Sequence, residues 1–329
     1  MTSSKAATST EVEESPVQFD LGIKERSLWG DAFRRLIRNR LSMIGLIIFA
    51  LLFLMAVFGP LIAPYPYMEQ NLKRVAEVPS WDHLLGTDDL GRDTLSRILW
   101  GARTAAIVAI VTTSLSSILG IILGSLAAYV GGWMDWLVSR AIDVTMSIPQ
   151  LLFASLVAAT FRKPVTDFVD VMYARTGLGF FKTSTYIDLV VVFGALAIIS
   201  WPGFARLIRG QILSLRERDF VLGARAVGAN QRQILWRHLI PNALGPIVVS
   251  LTLSLGGAIV AESALSFLGV GVQPPQASWG LMIRDNALSW RYRPFLVAGP
   301  GLTIAIVSLG INFLGDGLND ALNPRQAQG

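Results

Sequence analysis

The chain has 329 residues, of which 52% are apolar and 16% charged, and it carries a net charge of +5. Apolar content this high, gathered in long blocks, excludes an ordinary soluble domain and marks a membrane protein. Cysteine is absent, so disulfides and thiolate metal sites are excluded, and the only histidines, His83 and His238, fall in segments read as loops on opposite sides of the membrane. The positive charge fits loops facing an anionic leaflet better than it fits nucleic acid.

Residues 1–22 are rich in Ser, Thr and Glu, lack the apolar segment of a signal peptide, and read as a disordered cytoplasmic tail. Residues 23–40 set Trp29, Phe33, Leu36 and Ile37 among Arg34, Arg35, Arg38 and Arg40. That pattern suits a basic amphipathic helix at the headgroups; a plain basic flank of the first span fits equally well. Residues 41–62 are long enough to cross a hydrocarbon core of about 30 Å, and the arginines before them place the N-terminus inside. Pro60, Pro64 and Pro66 close the span, and 63–103 reads as an extracytoplasmic loop. Its Asp88, Asp89 and Asp93 lack the glutamate that an EF-hand places at its twelfth position. Turn and capping roles are expected instead, with Asp93 capping a helix and pairing with Arg97.

A core over 104–325 is expected to hold five further spans. In 104–130, Ser116, Gly120, Gly124 and Ala128 form a small-residue stripe that permits close helix approach, either within the chain or against a second copy of the fold. Gly131-Gly132 turns the chain into the span 136–161, near whose inner end Arg140 and Asp143 are spaced to pair. Residues 162–186 read as a second outer loop. Its Gly177-Leu178-Gly179 and Lys182-Thr183 fail as a phosphate loop because Phe181, not glycine, precedes the lysine. No ATP hydrolysis is therefore expected of this chain. The span 187–207 contains Trp201-Pro202-Gly203, expected to kink it, and Arg206 and Arg209 mark its inner end. The span 243–267 carries Glu262, a lone carboxylate at membrane depth and so a candidate translocation, gate or subunit-contact residue, or equally a capped structural acid reaching the interface. After an outer loop with Trp279, Trp290 and Tyr292, an aromatic set suited to the interface, the span 295–314 returns inside. The fold class is an all-α membrane protein of six transmembrane helices with both termini cytoplasmic, ending in a short tail at 326–329.

Between the fourth and fifth spans, residues 210–240 are polar and basic. Arg216–Ala226 favours helix, Gly228 can take the left-handed conformation that closes it, and Asn230 with Gln233 makes a capping box for a second helix. Pro241 ends that helix or kinks it into the next span. A membrane chain thus presents a stiff helical hairpin, a cytoplasmic helix-turn-helix, to a soluble partner.

The run Gly223-Ala224-Arg225-Ala226-Val227-Gly228, followed nine residues later by His238-Leu239-Ile240-Pro241, resembles the EAA loop of permease subunits of binding-protein-dependent ABC importers. Together with Gly86-Thr87-Asp88-Asp89-Leu90-Gly91-Arg92-Asp93, Ser96-Arg97, Gly101-Ala102-Arg103, Leu265 to Pro275, Leu314 to Leu318 and Asp320-Ala321-Leu322, it is similar to C-type permeases of the dipeptide/oligopeptide/nickel family. The similarity runs from about Trp29 to Arg325, and departs where Leu222-Gly223 replace Glu-Ala. The resemblance implies a non-catalytic permease subunit in a bacterial or archaeal plasma membrane, forming half of a translocation pathway for peptides, with nickel or another small solute as the alternative. It also implies a second homologous permease, two ATPase subunits that bind ATP and magnesium, an extracytoplasmic solute-binding protein and membrane lipid as partners. The ATPase-coupling residues would be Asp219, Phe220, Val221, Leu222, Gly223, Ala224, Arg225, Ala226, Val227, Gly228, Ala229, Asn230 and Pro241.

Three other classes compete. A secondary transporter would show paired broken spans or several intramembrane ionisable groups, and only Arg140, Asp143 and Glu262 stand there. A DNA-binding helix-turn-helix would need a third helix for its own core. An intramembrane protease would need His-Glu-x-x-His or a histidine within a span, and neither exists.

Overall fold

The computed structural model describes residues 28–177 and 184–322. The expected tails at 1–22 and 326–329, and most of the stretch around Lys182, lie outside them. Among the described residues the regular structure is helical apart from an isolated bridge between Thr87 and Asp93. The helices are α1 (Leu28–Arg38), α2 (Arg40–Ile62), α3 (Thr94–Val130), α4 (Gly132–Ser147), α5 (Gln150–Thr176), α6 (Ser184–Leu215) and α7 (Asp219–Ala226). They continue with α8 (Gln231–Gln233), a π-helical stretch Ile234–Leu239, α9 (Ile240–Asn242), α10 (Leu244–Phe267), α11 (Trp279–Asn286) and α12 (Phe295–Leu322).

Five of them, α2, α3, α6, α10 and α12, are long and apolar enough to cross a membrane. The expected span 136–161 is not one helix. It is broken at Ile148-Pro149, where α4 and α5 meet at 96°, because the residue before a proline is driven out of the helical region and Ile148 is extended. Helix α5 then runs through Pro164 to Thr176, so much of the expected outer loop at 162–186 is helical. Proline does not break α6 either: that helix continues through Pro202 to Leu215.

Helices α3 and α6 pack most extensively. Along their seam Ser116 Oγ donates to Ala197 O, and a side chain at Gly120 or Gly124 would run into the backbone at Phe204 and Ala205. The small-residue stripe therefore serves packing within the chain. Across the neighbouring α4–α6 seam Arg209 binds Asp135 through both nitrogen–oxygen pairs, Nη2 to Oδ2 at 2.8 Å. Asp143 faces Arg206 at 3.5 Å rather than the expected Arg140, since α6 brings a cation closer than the same helix turn does.

Outside the bundle, Asp88 Oδ1 accepts from the N–H groups of Leu90 and Arg92 while its Oδ2 takes Arg92 Nε at 2.6 Å. Gly86 and Gly91 adopt positive φ to allow this turn. Asp93 caps α3 through Ser96 N, as the spacing predicts. Its second oxygen meets His83 Nδ1 at 2.8 Å instead of Arg97. In the same loop Arg74 bonds both Glu77 and Asp82, and that guanidinium holds the Glu77 carboxyl below its usual range. Trp279 is not at the interface: it is buried over Gly101, which has no side chain to exclude it, and donates Nε1 to Ile98 O at 3.0 Å.

Two glycines on the α3–α6 pair give opposite expectations. Gly124→Val should lower the thermal-unfolding midpoint of the detergent-purified chain, at a cost of about 1–3 kcal/mol from overpacking. Gly194→Ala meets nothing within 4 Å and should leave the midpoint unchanged or raise it slightly.

Candidate functional site

Two features stand out, a cavity within the bundle and the hairpin that connects two of its helices. The cavity has a volume of about 1000 Å³ and is lined by α3, the α4–α5 break, α6, α10 and α12. The break matters here: by turning the chain at Ile148-Pro149, it brings Thr145, Ser147 and Gln150 to the wall. Ser200, Ser254, Ser308 and Asn312 also line it, with Leu196, Phe204, Leu253 and Val260. None of the described lining residues is charged. Thr112 and Thr113 are buried at the wall with hydroxyls that have no hydrogen-bond partner among the described residues, and a buried unsatisfied hydroxyl is costly enough to be open to a ligand or water. Sequence reasoning did not single out these neutral residues, because a Ser or Thr within an apolar helix carries no local mark of facing a cavity.

Glu262, expected as a gate candidate, does not line this cavity. Its neighbours Val260, Ala261 and Ala264 do, while its own carboxylate, 1% exposed, points into the protein. There it accepts hydrogen bonds from the hydroxyls of Ser266 and Ser278 at 2.8 Å and of Ser263 at 3.3 Å. Ser266 in turn accepts from Val272 N, and Arg162 of α5 donates to the carbonyls of Val270 and Gly271. The carboxylate thus fastens the loop after α10 to α11, buried rather than reaching the interface.

The hairpin forms the covalent connection between α6 and α10, both of which line the cavity. Helix α6 ends at Leu215, so the first hairpin helix is α7 from Asp219 and not a helix from Arg216. Helix α7 closes with Gly228 at φ +84°. Gly228 N donates to Arg225 O and Ala229 N to Ala224 O, the two bonds of a Schellman motif. Asn230 and Gln233 then exchange both bonds of a capping box. Pro241 does not end the helical run. Upstream the π-helical stretch widens the turn, with Ile240 N bonding Leu235 O, and that accommodates a residue without an N–H before α10 begins at Leu244.

Val221 is fully buried in a cluster with Ala128, Ile208, Ile212, Ile234, Leu235, Leu239, Ala243 and Ile247. Ala224 and Ala229 pack at its edge. Asp219, Phe220, Leu222, Gly223, Arg225, Ala226, Val227, Gly228, Asn230 and Pro241 remain exposed. Of these Phe220, Leu222 and Val227 are large and apolar, Val227 at 86% exposure.

Comparison with known proteins supplies the family. Residues 120–328 match the model of the binding-protein-dependent transport system inner membrane component. Residues 27–79 match that of the N-terminal TM domain of oligopeptide transport permease C. The dipeptide transport system permease protein DppC of Alkalihalophilus pseudofirmus is 38% identical, covering 91% of this chain and 90% of that one. The oligopeptide transport system permease proteins OppC of Bacillus subtilis and of Haemophilus influenzae are 37% and 34% identical, over 92% and 93% of this chain and 91% of each relative. With its run of long apolar helices, this chain belongs to the family of binding-protein-dependent transport system inner membrane components, as a multi-pass permease of the plasma membrane.

Proposed function

We propose that the chain is the permease subunit of an ATP-driven peptide importer, forming half of its translocation pathway. The observation that carries this is the hairpin's place in the chain: it joins two cavity-lining helices and shares their buried core through Val221. A force applied to the hairpin therefore reaches the cavity wall through packed side chains rather than through a loose loop. The bundle itself would be the two-state element that nucleotide biases. In this scheme α4 and α5 together make one of six crossings, and both termini and the hairpin lie in the cytoplasm. Two ATPase subunits bind ATP and magnesium and grip the exposed Phe220, Leu222 and Val227. A second permease completes the pathway, and an extracytoplasmic solute-binding protein delivers the cargo.

The cavity chemistry favours peptides over a bare metal ion. Hydroxyls and amides can exchange hydrogen bonds with a peptide backbone whatever its side chains, whereas a nickel ion would meet no imidazole, thiolate or carboxylate on the described lining residues. The names of the relatives, dipeptide and oligopeptide permeases, point the same way.

Two variants test the scheme in the assembled complex reconstituted in liposomes. Gly228→Pro cannot take φ +84° and removes the N–H that bonds Arg225 O. It should abolish cargo-stimulated ATP hydrolysis while insertion persists; normal stimulation contradicts the coupling role. Ser254→Asp puts a charge on the cavity wall. It should reduce peptide uptake with subunit assembly unchanged. Undiminished uptake would mean that the cargo does not pass this wall.

A further inference from the structure

The first helix carries a surface that the permease scheme leaves unused. Ala32 and Leu36 of α1 pack on Leu314, Leu318, Ala321 and Leu322 of α12. Gly317 permits this: a side chain there would collide with Ser42 and press on Leu36. The remaining faces of α1 are exposed and chemically divided. Phe33 and Ile37 of α1, and Leu41 and Ile44 at the start of α2 beyond the extended Asn39, are exposed apolar side chains at 57%, 42%, 55% and 47%. Beside them stand Arg34, Arg35, Arg38 and Arg40, all exposed, and none makes an ion pair among the described residues. Asp316 and Asp320 of α12, the helix on which α1 rests, are exposed and engage none of the four.

We propose that this face is a binding site for an anionic glycerophospholipid, with the phosphate held by Arg34 and Arg38 and the acyl chains lying along Leu41 and Ile44 of α2. This rests on reading α2 as a membrane span. Charge complementarity selects the occupant. Four guanidinium groups without counter-ions among the described residues sit at the end of the apolar helix α2, where a headgroup phosphate lies. Arginine's planar fork matches two phosphate oxygens at once, and Arg34 and Arg38, four apart, share one face of the helix. A soluble protein partner would cover the basic groups but leave Leu41 and Ile44, which belong to the span, facing lipid. The opposite face of α1 is packed on α12, which contributes Ser308 and Asn312 to the cavity wall. A bound headgroup therefore fastens the cytoplasmic end of a cavity-lining helix.

The test uses the assembled complex extracted from nanodiscs containing equal phosphatidylglycerol and phosphatidylcholine, with retained lipid counted by native mass spectrometry. The wild type should retain phosphatidylglycerol in preference, and Arg34→Gln/Arg38→Gln should lower that retention about twenty-fivefold, each basic residue near an anionic surface contributing roughly fivefold. Arg35 and Arg40 stay in place to keep the orientation of α2. Arg34→Lys/Arg38→Lys, which retains charge but not the fork, should fall between. Equal retention of the two lipids by the wild type, or unchanged retention in the glutamine variant, overturns the site. Assembly with the partner subunits in the same sample separates that failure from a failure of the permease scheme.

Discussion

Burial of Val221 is the contact on which the rest of the account depends. A hairpin of exposed polar residues between two membrane helices would ordinarily be a tether, free to tilt against whatever it touches. Here one fully buried valine, with Ala224 and Ala229 at its edge, seats the hairpin in the core that α3, α6 and α10 share. The two caps at its tip, the Schellman motif at Gly228 and the capping box at Asn230, satisfy backbone groups that would otherwise fray in water. Stiffness at the tip and burial at the base make the hairpin an extension of the bundle.

The cavity is shaped by the same economy of small and neutral side chains. Gly120 and Gly124 let α3 and α6 approach until backbone nearly meets backbone, and the Ile148-Pro149 break turns the chain so that hydroxyl and amide groups reach the wall. Charges are kept at its margins. Asp135 and Arg209 bind one another across the α4–α6 seam, and Glu262 is satisfied by three serine hydroxyls on the far side of α10. The loop between α2 and α3 is organised by Asp88, Arg92, Asp93 and His83 and is joined to the loop before α12 through Arg293 and Asp89 at 3.1 Å.

How much of this was legible in the sequence follows from the range of each interaction. The hairpin tip was readable because caps are local: Gly228, Asn230 and Gln233 lie within six positions of one another. So was Asp93, which caps the helix it precedes. The pairings of Asp135 with Arg209 and Asp143 with Arg206 were not, since their partners stand 74 and 63 residues away. Asp143 beside Arg140 offered a plausible local alternative. Trp279 looked interfacial because its binding partner, the carbonyl of Ile98, is 181 positions distant. The broken third crossing was hidden by hydropathy: apolar residues on both sides of Pro149 summed to one span, and the polar positions Arg162, Lys163, Asp167 and Asp170 of α5 resembled a loop. The uncharged lining of the cavity had no sequence signature at all.

The cysteine-free sequence permits a direct test of transmission. Spin labels on Val227→Cys at the hairpin and Leu151→Cys at the cavity rim would report the distance between them in the assembled complex by pulsed electron resonance. If the hairpin drives the wall, ATP binding should shift that distance distribution, and hydrolysis should return it. A distribution that stays fixed while the complex hydrolyses ATP and moves its cargo would contradict the account.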